Sequence, residues 1–205
     1  MKSVKKLTHL FIFVLLVSFS SSCSKSNLEE VLSSSPLEQK DKEALLFMLE
    51  EEKLARDTYT YINDLWSISQ FANIKKSEQS HMNSISTLLT KSNVEHTILP
   101  VGVFENRELQ NLYNQFINDA AISASKALQI GATIEDLDIV DLENYKISTT
   151  NSAIIKVFNN LLCGSRNHLR SFVKAIINNG DTYTPQYLTQ TKYNSIITAS
   201  QEQCN

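Results

Sequence analysis

Glycine and proline are scarce in this 205-residue chain, four of the one and three of the other. A β-rich fold spends both freely at its turns, so the shortage argues for helices. Cysteine is scarce too: Cys23, Cys163 and Cys204, with no C-x-x-C spacing among them. That excludes a rubredoxin-type iron centre and a thioredoxin-like motif. An excess of either charge is also missing. Nineteen Lys and Arg face 22 Asp and Glu without any basic block, which argues against a nucleic-acid partner.

The one strongly apolar run lies at the start. Lys2, Lys5 and Lys6 precede Leu10 to Val17, a run too short to span a bilayer as a mature helix. It leads into Ser20-Ser21-Ser22-Cys23, and residues 1–22 look like a bacterial lipoprotein signal cleaved before a lipid-carrying Cys23. Ser20 stands where such signals usually have leucine, and ordinary signal-peptidase cleavage beside an unmodified Cys23 is the plainer alternative. Residues 23–36, rich in serine and ending at Pro36, read as a flexible tether. By lipoprotein sorting rules Ser24 points to the outer membrane of a cell envelope, facing either the periplasm or the surface. Cys163 and Cys204 could pair in such an oxidising compartment, though their presence alone leaves this open.

Residues 37–205 read as one helical domain with room for a real core. The spacing predicts a first helix over about 37–65, whose stripe of Leu45, Met48, Leu49, Ala55, Tyr59 and Ile62 contains Glu52. Glu50 and Glu51 fall off that stripe and read as solvated surface. Ser67-Ile68-Ser69-Gln70 fits a capping box opening the second helix, where Glu78 lies among Phe71, Ile74, Met82, Ile85 and Leu89, with His81 at the edge. A long crossover, broken by Pro100 and Gly102, carries an amphipathic helix over about 106–119. A third bundle helix over about 123–145 places Glu135 and Asp138 beside Leu128, Gly131 and Leu142. A fourth, over about 152–179 and ended by Gly180, places Ser165 and His168 among Ile154, Phe158, Leu161 and Phe172. A short last helix near 186–199 packs outside. Hairpin, long crossover, hairpin is the order of a ferritin-like four-helix bundle.

The inward ionisable residues are therefore Glu52, Glu78, His81, Glu135, Asp138 and His168. Carboxylates crowded in a core repel and take up protons unless cations lie among them, and two divalent metal ions would satisfy them all. The alternative is a metal-free polar core in which Arg56 or Arg170 balances the acids. Tyr59, two turns after Glu52, is placed either to hold a ligand carboxylate or simply to pack. His96 reads as a surface residue, and His9 belongs to the leader.

The run from Glu52 through Ala55, Arg56 and Tyr59 resembles the first metal-binding helix of rubrerythrin-type proteins, and Glu78-x-x-His81 resembles their second-helix motif. From about Leu45 to Ile197 the chain resembles the DUF2202 ferritin-like domain family, through residues 51–59, 71–82, 127–142, 164–172 and 180–188. The resemblance implies two iron ions, or another divalent metal, and oxidation of Fe(II) by oxygen or peroxide, or reduction of peroxide. It departs at the fourth helix, where Ser165-Arg166-Asn167-His168 replaces the second Glu-x-x-His of di-iron relatives. Asp138, one turn after Glu135, would stand in for the missing acid; otherwise one metal keeps an open position or the site is mononuclear. The expected partners are the membrane through Cys23, metal ions, oxygen or peroxide, and as one option a second copy of the chain. The alternative function is a non-enzymatic metal-binding or protein-interaction module of the envelope.

Overall fold

The computed structural model describes residues 37–204, and the leader, Cys23 and the whole tether lie outside the described residues. Its helices are α1 (Gln39–Trp66), α2 (Ser69–Lys91), α3 (Arg107–Ala120), α4 (Ala124–Ser148), α5 (Ser152–Asn178) and α6 (Gln190–Thr198), and among the described residues there is no strand. Two antiparallel hairpins, α1–α2 and α4–α5, face each other with α1 against α4 and α2 against α5. The crossover from α2 to α4 carries α3, which packs on α1 and α4. This is the ferritin-like order, a helical bundle with its one long connection between the second and third bundle helices.

Local chemistry sets the helix ends. The side chains of Asn106, Ser123, Asn151 and Thr189 cap α3, α4, α5 and α6 by accepting from backbone N–H groups of the first turn. Gly180 takes a positive φ of 85°, and the N–H of Asp181 reaches back to the Ile176 carbonyl, closing α5 as a Schellman turn. The predicted capping box does not form. Ser67 is left-handed and ends α1, giving its N–H to Asn63 O, so Ile68 is the residue that precedes α2. With a connection this tight, Ser67 cannot serve both helices.

Side chains of α1 fasten the crossover, which corrects the reading of Glu50 as solvated surface. Glu50 accepts the N–H groups of Glu105 and Asn106 at 2.7 and 2.8 Å. Lys53 is fully buried, donates to the carbonyls of Pro100 and Val103, pairs with Asp57 at 2.6 Å and lies over the Phe104 ring. Asp57 in turn accepts from Gly102 N–H. Glu51 is not surface either: it is 2% exposed, turned into the bundle toward α4.

Below the site the core is aromatic. Tyr59, Phe71 and Phe172 meet in a triangle with centroids 5.0–5.4 Å apart, and each such ring contributes roughly 1.5–3 kcal/mol by burial. Gly131 makes room for it, since a Cβ there would lie 2.5 Å from the Phe172 ring. The last helix starts later than the spacing predicts. Asp136, fully buried on α4, accepts the Tyr183 hydroxyl and the N–H groups of Gln186, Tyr187 and Leu188. Those three amides are thereby withdrawn from helix formation, and α6 begins at Gln190. Its Tyr193 and Ile196 are buried, with α6 lying against α5.

Candidate metal centre

Each bundle helix sends an ionisable side chain into the same level of the core. Glu52 comes from α1, Glu78 and His81 from α2, Glu135 and Asp138 from α4, and His168 from α5; all six are buried. Glu78 is central. One of its oxygens lies 2.9 Å from Nδ1 of His81, and the other lies 2.9 Å from Nδ1 of His168. Neither contact is aligned as a hydrogen bond, and Glu78 Oε1 and His168 Nδ1 have no hydrogen-bond partner at all. Glu52 approaches His81 Nδ1 to 3.1 Å, and Glu135 approaches His168 Nδ1 to 3.4 Å. The result is two groups that share Glu78, namely Glu52–Glu78–His81 and Glu78–Glu135–His168, each with its ligand atoms within 4.8 Å of one another.

Asp138 stands one step back from those groups. Ser165, on α5 where a carboxylate would complete the symmetry, donates to one Asp138 oxygen at 2.5 Å and leaves the other unpartnered. Tyr59 donates to Glu135 at 2.6 Å, which fixes that carboxylate. Gly164 gives His81 its place, because a Cβ there would come within 2.7 Å of the ring's Cε1 and Nε2. Glu51 was not among the candidates from the sequence. Both its oxygens are buried without a hydrogen-bond partner, and its acidic neighbours are Asp138, Asp141 and Glu52.

The electrostatics are those of a cluster short of cations. Burial lifts Glu52 to about 7 although His81 pulls the other way. Burial first, then neighbouring acids, lifts Glu51 and Asp138 well above the carboxylate range and raises Glu135. At Glu78 burial opposes the charge, but His168 and His81 hold its carboxyl well below the ordinary range. Burial disfavours the imidazolium of His168, yet Glu78 and Glu135 outweigh it and lift the ring to about 10; His81 moves the same way between Glu52 and Glu78.

Neither arginine that could have balanced the acids does so. Arg56 is taken by Asp57 and Gln79, and Arg170 by Glu202, Asn167 and the Ile196 carbonyl. Five buried carboxylates thus face two imidazoles, with several of their oxygens unpartnered. A mixed oxygen and imidazole donor set of this kind suits divalent iron, manganese or zinc, so these residues fit a metal group.

A larger cavity of about 680 Å³, bordered by Glu43, Phe47, Glu95 and His96, touches no residue of the cluster. His96 is half-buried there, hydrogen-bonded to Ser86.

The crossover bundle and the buried carboxylate–histidine cluster define a ferritin-like helical protein with groups able to hold metal. Within that class the chain belongs to the family described as "Uncharacterized protein domain (DUF2202)", which matches residues 41–200. It is 44% identical over 169 residues to the uncharacterized protein MJ0754 of Methanocaldococcus jannaschii, covering 82% of this chain and 91% of that one. The crystal structure of hypothetical protein MJ0754 from Methanococcus jannaschii is similar at a TM-score of 0.80 and 43% identity, covering 82% of this chain and 98% of that one.

Proposed function

We propose that the bundle holds two divalent metal ions, iron foremost, and acts as an oxidoreductase on dioxygen or peroxide. The observation that carries this reading is the doubled cluster about Glu78, whose two oxygens each approach a different imidazole without hydrogen-bond alignment. Glu52 and His81 would serve one ion and Glu135 and His168 the other, with Glu78 shared and Asp138 in reserve beside the serine of α5. Iron bound there supplies electron transfer to dioxygen or peroxide. Tyr59 keeps Glu135 oriented, Ser165 keeps Asp138 oriented, and the aromatic triangle packs around the Tyr59 ring that makes the first of these contacts.

Metal analysis of the chain refolded with Fe(II) tests this. The expected content is about two ions per chain, lost in a Glu52→Ala/Glu78→Ala double variant. Substoichiometric iron that the double variant retains would sink the reading.

Ser165 in place of a carboxylate favours a second reading, in which the metal is structural and the bundle is a binding module of the cell envelope. Fast peroxide turnover by the iron-loaded protein rejects it. For the location, we propose export and lipid attachment at Cys23, in an outer membrane; the Cys163–Cys204 disulfide supports an oxidising compartment. Loss of the chain from the membrane fraction in Cys23→Ser is the expected result, and unchanged partitioning would reject the anchor.

A further inference from the structure

After α6 the chain turns back onto α5 and is fastened there at three points. Asn167 and Glu202 exchange two hydrogen bonds at 3.0 Å, from the Asn167 amide to the Glu202 carbonyl and from the Glu202 N–H to Asn167 Oδ1. Arg166 and Arg170 both grip the Glu202 carboxylate. Cys204 is joined to Cys163 by a disulfide with Cα atoms 5.6 Å apart.

Between this tail and the bundle lies a cavity of about 330 Å³. Its inner wall includes His81, His168 and Gly164, and its outer wall includes Gln201 and Cys204. The tail therefore walls one side of the cavity that borders both imidazoles, and His81 and His168 are each about nine-tenths buried.

We propose that residues 199–204 form a lid over the histidine side of the centre, locked by the Cys163–Cys204 disulfide and released when a dithiol reduces it. What the lid guards rests on the metal-centre reading; the lid itself does not. The lock is the disulfide because it is the covalent tie. The ion pairs end on Glu202, about one-third exposed and so partly screened by water and salt, and the two Asn167–Glu202 hydrogen bonds contribute only about 1 kcal/mol each. Cys163 is buried and Cys204 exposed, so Cys204 Sγ is the atom open to attack. A thiolate of the dithiol bonds to Cys204 Sγ and Cys163 leaves as thiolate. The second thiol then closes the reductant's own disulfide and frees Cys204. Two electrons and two protons pass to the protein, and the dithiol is oxidised.

The test loads the chain with Co(II), whose visible bands report occupancy, and follows its removal by EDTA. Oxidised protein is compared with protein reduced and then desalted anaerobically, so that no thiol reagent remains to chelate metal. Reduction is expected to speed removal at least about tenfold, with a Cys163→Ser/Cys204→Ser variant fast in both conditions. Equal rates in oxidised and fully reduced protein overturn the lid. Should the chain take up no cobalt, the metal reading fails and hydrogen exchange on the metal-free chain decides the lid alone. Exchange rising about tenfold at residues 199–204 on reduction, while α5 stays protected, supports it; unchanged exchange overturns it.

Discussion

Glu78 is the residue on which the centre turns, because its two oxygens serve two imidazoles on different helices. An amide keeps the size and loses the charge, so on the proposed dimetal reading Glu78→Gln is expected to lose both metal ions. In the metal-free variant the two histidines should titrate closer to their ordinary range, since each loses a carboxylate that lifts it. Two-dimensional NMR of the ring protons checks this, and histidines that titrate as in the parent would contradict the contact. Gly164 offers a complementary probe. A helix-interior Gly→Ala change ordinarily stabilises by roughly 0.5–1 kcal/mol. Here the new Cβ would collide with His81, so Gly164→Ala is expected to weaken metal binding at least about tenfold with helix content unchanged. Retained metal affinity by calorimetry would show that the ring has room to move.

At the scale of the element, α1 shows why single residues were readable and neighbours were not. Glu52 and Tyr59 lie on its apolar stripe, and the helical period alone puts them inward. Glu51, one residue away, is equally buried because α1 is wrapped by α2, by α4 and by the crossover with α3. A single stripe cannot express three contact faces. Lys53 and Asp57 belong to the third face, and a buried pair is costly to break from one side. Lys53→Ala is expected to destabilise by about 3 kcal/mol or more in chemical denaturation. A loss under about 1 kcal/mol would mean that Arg56 alone suffices for Asp57. On α4, Asp136 plays the corresponding part for residues 183–188. Asp136→Ala leaves three backbone N–H groups without their acceptor and should raise hydrogen exchange through that segment and α6. Exchange confined to Tyr183 would reject the hub.

At the scale of the whole molecule, the cluster makes stability depend on pH in a direction that metal should reverse. Glu52, Glu51, Asp138 and Glu135 bind protons more tightly folded than unfolded, so their contribution is present at low pH and fades as pH rises. For Glu52 the fading runs from the ordinary carboxylate range to about 7. The histidines continue the trend: the stabilisation from His168 is present below its unfolded pKa and is lost as pH rises toward about 10. Glu78 shifts oppositely, but its contribution is lost only in acid below the usual carboxylate range. The metal-free chain should therefore melt at lower temperature at pH 8 than at pH 5. Metal binding expels these protons and tightens with pH, so the loaded protein should melt higher at pH 8 than the metal-free one by a wide margin. A metal-free melting temperature that rises from pH 5 to 8 would contradict the shifts.

The sequence by itself determined the helical class, the order of hairpin, crossover and hairpin, and the inward faces of Glu52, Glu78, His81, Glu135, Asp138 and His168. Period, scarcity of turn residues and helix punctuation are local quantities, and they are written along the chain. Only the tertiary structure decided that Glu78 faces two imidazoles, that Arg56 and Arg170 are spent elsewhere, that Glu51 is inside, and that Cys204 returns to Cys163. Those facts depend on which partner each side chain finds across the bundle. Pairing between residues distant in the chain is settled by how four helices pack together, and no helical period encodes it.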